Sequence, residues 1–321
     1  MLKKAVKKFL SVVLATAMVV SSITVYGASV KVPEDRVLTS VKEYSIAPGI
    51  KEKHITTVDK DGNNQVQAYM AEIDLKTSSV GMMAGYKNYD KTGKWGMQTV
   101  RDQAKAAEKA TGKTIVAAIN GDYFDMGTGQ PWGSLVMGGD IVQTQNDHPY
   151  FAIMKDGTAD CREAYEPLDD VVEAIGSPFF LVKDGKALEE LAADPYAMPR
   201  CAVGIKADGS VIIYEADGRQ APKSCGQSLY ETAKQMEAMG CVEALYLDGG
   251  GSATFATKTE GTDSLEVKNS PSDGTERKVS SSLFIYSDAK ADGEFDHATI
   301  SPLEEVYTPG STVQFEATGV D

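Results

Sequence analysis

A chain of 321 residues is long enough for one large domain or two modest ones, each with a proper core. Apolar residues make up 42% and charged residues 24%, which excludes wholesale disorder. Acidic residues outnumber basic ones by 46 to 32, for a formal net charge of -14. That balance excludes generic nucleic-acid binding, which needs clustered cations to neutralise phosphates.

The chain begins with the grammar of an export signal. Lys3, Lys4, Lys7 and Lys8 precede an uncharged, largely apolar run from Phe9 to Val25, and small residues follow at Gly27, Ala28 and Ser29. A signal peptide over residues 1–28 is expected, cut after Gly27 or Ala28. Its removal takes four lysines away and moves the charge from -14 to -18. An uncleaved anchor is the rival, since the apolar run touches the lower limit for a membrane span. Ser and Thr dilute that run and favour cleavage. No later stretch is apolar enough to span a bilayer, so the mature protein is expected to be secreted or at the cell surface and not integral to a membrane.

Residues 29–65 read as an extended N-terminal segment, with Asp59-Lys-Asp-Gly-Asn63 a hairpin turn. That turn superficially suggests a calcium loop, but its Gly comes too early for an EF-hand. A helix is predicted around Thr99–Ala110 from Val100, Ala104 and Ala107 at i, i+4, i+7, with Gly112 as its C-cap. The unbroken apolar run Ile115–Ile119 then suits a strand buried on both faces, and it ends in Asn120-Gly-Asp-Tyr-Phe124. The pattern recurs: Leu229, Ala233 and Met236 mark a helix, Gly240 closes it, and the strand Val242–Leu247 ends in Asp248-Gly-Gly-Gly-Ser252. From Gly112 to Asn120 and from Gly240 to Asp248 the spacing is the same, eight positions. Two polar loops at strand ends are therefore expected to converge on one cleft, as at the carboxyl edge of an open α/β sheet.

Between these units the chain reads as hairpins. Ser134–Met137 turns through Gly138-Gly139 into Ile141–Gln143, Phe179–Val182 turns through Lys183–Lys186, and Cys201–Ile205 turns through Ala207–Ser210 into Val211–Tyr214. Ser281–Tyr286 is a late strand. The predicted class is α+β or mixed α/β, a mixed, largely antiparallel sheet with a few flanking helices. Residues 289–321 read as a linker and the start of an immunoglobulin-like module, with a plain β-hairpin extension as the alternative. Four cysteines, Cys161, Cys201, Cys225 and Cys241, allow one or two disulfides in an oxidising compartment or simply buried thiols. They lack the CxxC spacing of a structural zinc site. Of the three histidines, His54, His148 and His297, none stands in a motif, so histidine-based catalysis and multi-histidine metal sites are discounted.

Chemistry concentrates in five segments. Asp248-Gly249-Gly250-Gly251-Ser252 puts a carboxylate at a strand end before glycines whose amides can approach an anion; it lacks the Lys of a P-loop. Asn120 and Asp122 add an amide and a second carboxylate. Arg200, in Pro199-Arg200-Cys-Ala-Val-Gly204, can bind a phosphate bidentately, and Arg219 follows in Asp217-Gly-Arg219. Asp273 and Arg277 lie in Asn269-Ser-Pro-Ser-Asp-Gly-Thr-Glu-Arg277.

In this order, over roughly residues 66–287, these motifs resemble the phosphodiester glycosidase family. The DGGGS and PSDG-x-ER segments carry most of the resemblance; Cys201 stands where Thr is expected and Asp122 where Gly often stands. The resemblance implies a domain over about 66–288 that hydrolyses a sugar-1-phosphodiester, with no cofactor, acting on a carbohydrate or glycan-phosphodiester. Cleaving a sugar C1–O bond passes through an oxocarbenium-like state, for which two carboxylates are the usual equipment. Asp248 is expected to act as base or nucleophile, with Asp122 or Asp273 as the second acid or a ligand of a sugar hydroxyl. Arg200, Arg219 and Arg277 with the Gly249, Gly250 and Gly251 amides are expected to hold phosphate, and Ser252 and Asn120 to orient the sugar. Two other readings stand beside it. One is a metal-dependent phosphodiesterase in which Asp122, Asp248 and Asp273 hold a divalent cation; the other is a non-catalytic polysaccharide-binding surface module.

Overall fold

Strand pairing dominates this chain. The computed structural model describes residues 30–144, 147–259, 262–290, 293–295, 297–301 and 311–320; the expected signal peptide lies outside them. Among the described residues, every pairing between strands is antiparallel. The first sheet has eight strands in the order Arg36–Ala47, Ile50–Asp59, Val66–Ile73, Val211–Ala216, Arg200–Lys206, Cys241–Leu247, Phe180–Lys183, Lys186–Ala187. The two strands from the segment 29–65 thus continue this sheet to its edge. A second, five-stranded sheet runs Leu265–Val267, Phe255–Lys258, Ile115–Asn120, Ser281–Ser287, Val80–Tyr86. A third, also of five, runs Asp140–Gln143, Leu135–Met137, Val171–Gly176, Tyr150–Met154, Ala159–Arg162.

The three sheets share one core. Val203, Ile213, Leu245 and Leu247 from the first meet Ala117, Ile119, Phe255 and Leu283 from the second and Phe151 and Ile175 from the third. Alternation then sends neighbouring side chains outward. In the strand Ile115–Asn120, Ala118 alternates with Ala117 and Ile119, and a register shift beside Ile115 turns that residue to the same side as Ala118, so both face helix α1, Val100–Thr111, whose Val100, Ala104 and Ala107 pack against Met83 and Phe284. This explains why every residue of that strand is buried. Thr99 caps α1 by accepting a hydrogen bond from the Asp102 amide, and Gly112 ends it with φ 72°, where a side chain would be strained. Helix α2, Leu229–Ala238, starts with a full capping box between Ser228 and Glu231. It covers the opposite face of the first sheet, where Gly204 leaves room for Met236.

The antiparallel expectation is met, with one correction. The strands Ile115–Asn120 and Cys241–Leu247 belong to different antiparallel sheets, so the open-sheet rule for parallel strands does not explain their convergence. All four cysteines are free thiols; Cys161, Cys201 and Cys241 are buried and no bridge forms. Strand His297–Ser301 pairs with Glu316–Val320 as a two-stranded ribbon. No helix among the described residues is long and apolar enough to cross a membrane.

Candidate active site

Two strand ends from different sheets are tied to each other by backbone and by one amide side chain. The Asp248 amide donates to the Gly121 carbonyl at 2.8 Å, and the Asn120 Nδ2 donates to the Asp248 carbonyl at 2.6 Å. Asn120 Oδ1 accepts from the Thr254 amide at 3.0 Å and from the Cys201 thiol at 3.2 Å. The thiol stands where a Thr hydroxyl was expected, and it supplies a weaker donor to the same acceptor. The two loops of equal spacing therefore meet.

Asp122 sits inside this junction, 3% exposed. Its Oδ1 accepts from the Tyr123 amide at 2.7 Å and its Oδ2 from the Gly133 amide at 2.6 Å. Gly133 and Gly176 both close on Oδ2, where an added Cβ would come within 3.0 and 2.5 Å. Burial pushes the Asp122 carboxyl up to about 7, further helped by the nearby charge of Asp248 and opposed by the two amides and by His148. Asp248, half-buried, is likewise pushed up by burial, to about 6; hydrogen bonds from Ser252 and the Gly249 amide and the charge of Arg277 pull the other way. Two neighbouring carboxyls of raised and unequal affinity for protons can divide acid and base duties at mild pH.

Cations flank Asp248. The Arg277 guanidinium pairs with Asp273, Nε at 2.8 Å and Nη2 at 2.7 Å, and its Nη1 reaches Ser252 Oγ at 3.5 Å. It lies so close to Gly251 that any side chain there would collide with it. Arg219, exposed, lies over Gly250, whose φ is 59°; an added Cβ would stand 3.3 Å from both terminal nitrogens. The glycines thus serve less as anion-binding amides than as space for two guanidinium groups.

Three expectations are corrected. Arg200 does not face an open pocket: it is 1% exposed, donating to the Gln227 carbonyl at 3.0 Å, the Tyr246 hydroxyl at 3.2 Å and the Tyr196 carbonyl at 2.7 Å. Asn120 is fully buried and spends its amide on the junction instead of on a sugar. The Gly249 amide turns to Asp248 and the Gly250 amide to the Pro199 carbonyl at 2.9 Å, so both point into the protein. Asp273 is exposed and held by Arg277. Among the described residues, no group of three His, Cys, Asp or Glu side chains is placed to hold a metal ion. Asp122, Asp248, Ser252, Arg277, Asp273, Arg219, Gly250 and Gly251 do come together.

The sequence reading passed over an aromatic wall beside Asp122. Tyr123 meets Trp132 edge to face, centroids 5.4 Å apart, and meets Tyr246 at 6.0 Å. His148 lies 6.3 Å from the Trp132 ring. Tyr123 and Tyr246 stood in segments already singled out; Trp132 and His148 carry no spacing signal.

This geometry can be set against known proteins. The profile of the phosphodiester glycosidase family matches residues 113–286, more than half of the chain and every residue of the junction. The chain belongs to the phosphodiester glycosidase family. A similar relative, N-acetylglucosamine-1-phosphodiester alpha-N-acetylglucosaminidase of Mus musculus, is 29% identical over 161 residues, 43% of this chain and 31% of the relative. An uncharacterised prophage-derived protein of Bacillus subtilis is 39% identical over 98 residues, 30% of this chain and 14% of the relative. The chain therefore spans about a third or less of the length of these relatives. The solved catalytic domain of the zebrafish N-acetylglucosaminidase, auto-inhibited by its pro-peptide, superposes with a TM-score of 0.58 at 23% identity, covering 78% of this chain and 88% of that one. That likeness shows a shared fold.

Proposed function

We propose that this phosphodiester glycosidase family member is an exported hydrolase that cleaves the glycosidic bond of a sugar-1-phosphodiester. The observation that carries the reading is the junction itself. Two carboxyls pushed up by burial, Asp122 and Asp248, adjoin two arginines drawn in over glycines. In this reading the scissile C1–O bond lies across the two carboxyls. Asp248, ionised above about 6, acts as base or nucleophile at the anomeric carbon. Asp122, protonated up to about 7, is the acid. The departing phosphate monoester is a good leaving group, so charge neutralisation matters more than proton donation. Arg277 and Arg219 supply it, with Asp273 holding the Arg277 fork in place. Asn120 and Arg200 act at one remove: the first ties the two loops together, the second supports Tyr246 from behind. The N-acetylglucosamine phosphodiester in the name of the mouse relative gives the first substrate to try. Residues 1–28 are proposed as the export signal.

The test is turnover of N-acetylglucosamine-1-phosphate diesters by the secreted protein and by Asp248→Asn, with and without chelator. The expected result is a fall in kcat of about a thousandfold in the variant and unchanged wild-type turnover with chelator. Near wild-type turnover by Asp248→Asn overturns the role of Asp248. Loss of wild-type turnover on chelation overturns the metal-free mechanism in favour of a metal-dependent phosphodiesterase.

A further inference from the structure

Trp132 is 49% exposed, although an indole is among the side chains that gain most from burial. It is not carried on a loose loop. Phe124 bridges to Pro131, the Asp125 amide donates to the Gln130 carbonyl at 2.9 Å, and the Trp132 amide donates to the Tyr123 carbonyl at 2.9 Å. Asp125 Oδ1 closes the tip by accepting from the Gly127 and Thr128 amides at 2.7 and 2.8 Å. The stretch from Tyr123 to Trp132 is thus a hydrogen-bonded hairpin presenting an indole at its base. The residue after Trp132 is Gly133, whose amide holds the Asp122 carboxylate.

Behind the indole the rings are braced in series. Trp132 stands edge-on to Tyr123 at 87°, Tyr123 edge-on to Tyr246 at 86°, and Tyr246 stacks on Phe179 at 5.1 Å. His148 tilts against the indole, its Nδ1 2.8 Å from Asp147 Oδ1. The Asp147 carboxylate at that distance holds Nδ1 and so orients the imidazole beside the indole. A flat apolar face beside a polar ring nitrogen matches a pyranose, which offers C–H groups on its faces and hydroxyls around its rim.

Close neighbours order the cleft. Gly133, the residue after Trp132, holds the Asp122 carboxyl, whereas Arg277 and Arg219 crowd Gly251 and Gly250 just after Asp248. The indole thus adjoins the Asp122 side of the site, and the arginines adjoin the loop after Asp248. We propose that Trp132 and His148 form the sugar subsite, with the pyranose ring lying on the indole and the phosphate pointing to Arg277 and Arg219. This rests on the glycosidase reading above and fixes the direction in which its substrate lies. Trp132 is in this view a specificity-determining residue for the sugar half, separate from the carboxyls that break the bond.

The chain has two tryptophans, so emission spectroscopy can isolate this one. N-acetylglucosamine, N-acetylglucosamine-1-phosphate and inorganic phosphate are titrated against wild type and Trp132→Phe. The two sugars are expected to perturb wild-type emission, with the response lost in the variant, and phosphate alone to leave Trp132 emission unchanged. In kinetics, Trp132→Ala is expected to raise KM for the diester about tenfold or more with kcat within about threefold, and Trp132→Phe to recover most of the loss. Circular dichroism of both variants checks that the fold persists. Diester hydrolysis with unchanged KM in Trp132→Ala, or no emission response to either sugar, overturns the subsite while leaving the reaction standing. Emission changes with sugar but no hydrolysis of any diester overturn the reaction and keep the subsite.

Discussion

Two pairs of acidic side chains are buried in this protein on very different terms. Asp122 and Asp248 lie at the junction of the sheets with amides, a serine hydroxyl and an arginine beside them. Glu215 and Asp217 lie within the fold, next to Asn269. Among the described residues, neither carboxyl oxygen of Glu215 nor Asp217 Oδ2 has a close hydrogen-bond partner, while Asp217 Oδ1 accepts from the Ser270 amide at 2.8 Å and from Asn269 Nδ2 at 3.5 Å. Burial raises all four: Asp217 to about 6, and Glu215, which also feels Asp217, well above its ordinary value. Burial raises a carboxyl wherever it occurs, so an altered proton affinity alone does not mark chemistry. What sets the first pair apart is the company it keeps: two guanidinium groups over the glycines after Asp248 and an exposed indole beside Asp122.

Of the substitutions that test that contrast, the one at Asp122 has the largest expected effect. Asp122→Asn should lower kcat by about a hundredfold or more, and Glu215→Gln should leave it within about twofold. The reverse pattern at preserved fold would break the comparison. The same pair sets the pH profile. The active form needs Asp248 ionised, above about 6, and Asp122 protonated, below about 7. Rates of kcat/KM against pH should trace a bell with its summit between those values, and Asp122→Asn should remove its basic limb.

A smaller effect sharpens the role of the glycines. Gly251→Ala should displace the Arg277 guanidinium and raise KM for a diester by about tenfold, with the melting temperature little changed. Equal KM values would show that Arg277 does not meet the phosphate.

The smallest effect concerns stability. A carboxyl with a raised value in the fold leaves the native state carrying more protons than the unfolded chain between its ordinary value near 4 and its raised one. Stability therefore falls as pH rises across that range. For Asp217 and Asp248 the fall runs to about 6, and for Asp122 and Glu173 to about 7. Glu215 continues it to higher pH. Thermal melts should show Glu215→Gln gaining a few degrees on wild type at pH 8 and nothing at pH 4. An equal difference at both values would mean that packing, and not ionisation, separates the variants.

Much of the fold was legible because its signals are local. Thr99 and Gly112 bound α1, the first through its side-chain oxygen and the second through its left-handed backbone, and the Asp-Gly turns at 59–63, 183–186 and 207–210 each close a hairpin. Sheet order was not legible. Val211–Ala216 pairs with Val66–Ile73 across more than a hundred residues, and nothing in either strand names its partner. The convergence of Asn120 and Asp248 could be read from matched spacing, but its cause lay in two sheets meeting, not in one. Residue types at the site were legible, and their directions were not: the same Arg that could grip a phosphate turns inward at position 200 and outward at 219. Trp132 escaped altogether, because an isolated aromatic gains its meaning from what the folded chain sets next to it.

The Asn120 knot has a consequence for how this protein would fail. Its three hydrogen-bonding neighbours, Asp248, Cys201 and Thr254, come from strands and loops of two sheets, and Asp122 additionally leans on glycines from the third. The distance between the acids is thus set by how the sheets seat upon one another. A methylene trimmed from Ile119 or Leu247 in the shared core would let the layers settle, and the reacting groups would drift out of alignment while the molecule still melted as a folded protein. Damage to the interior would announce itself first as lost turnover.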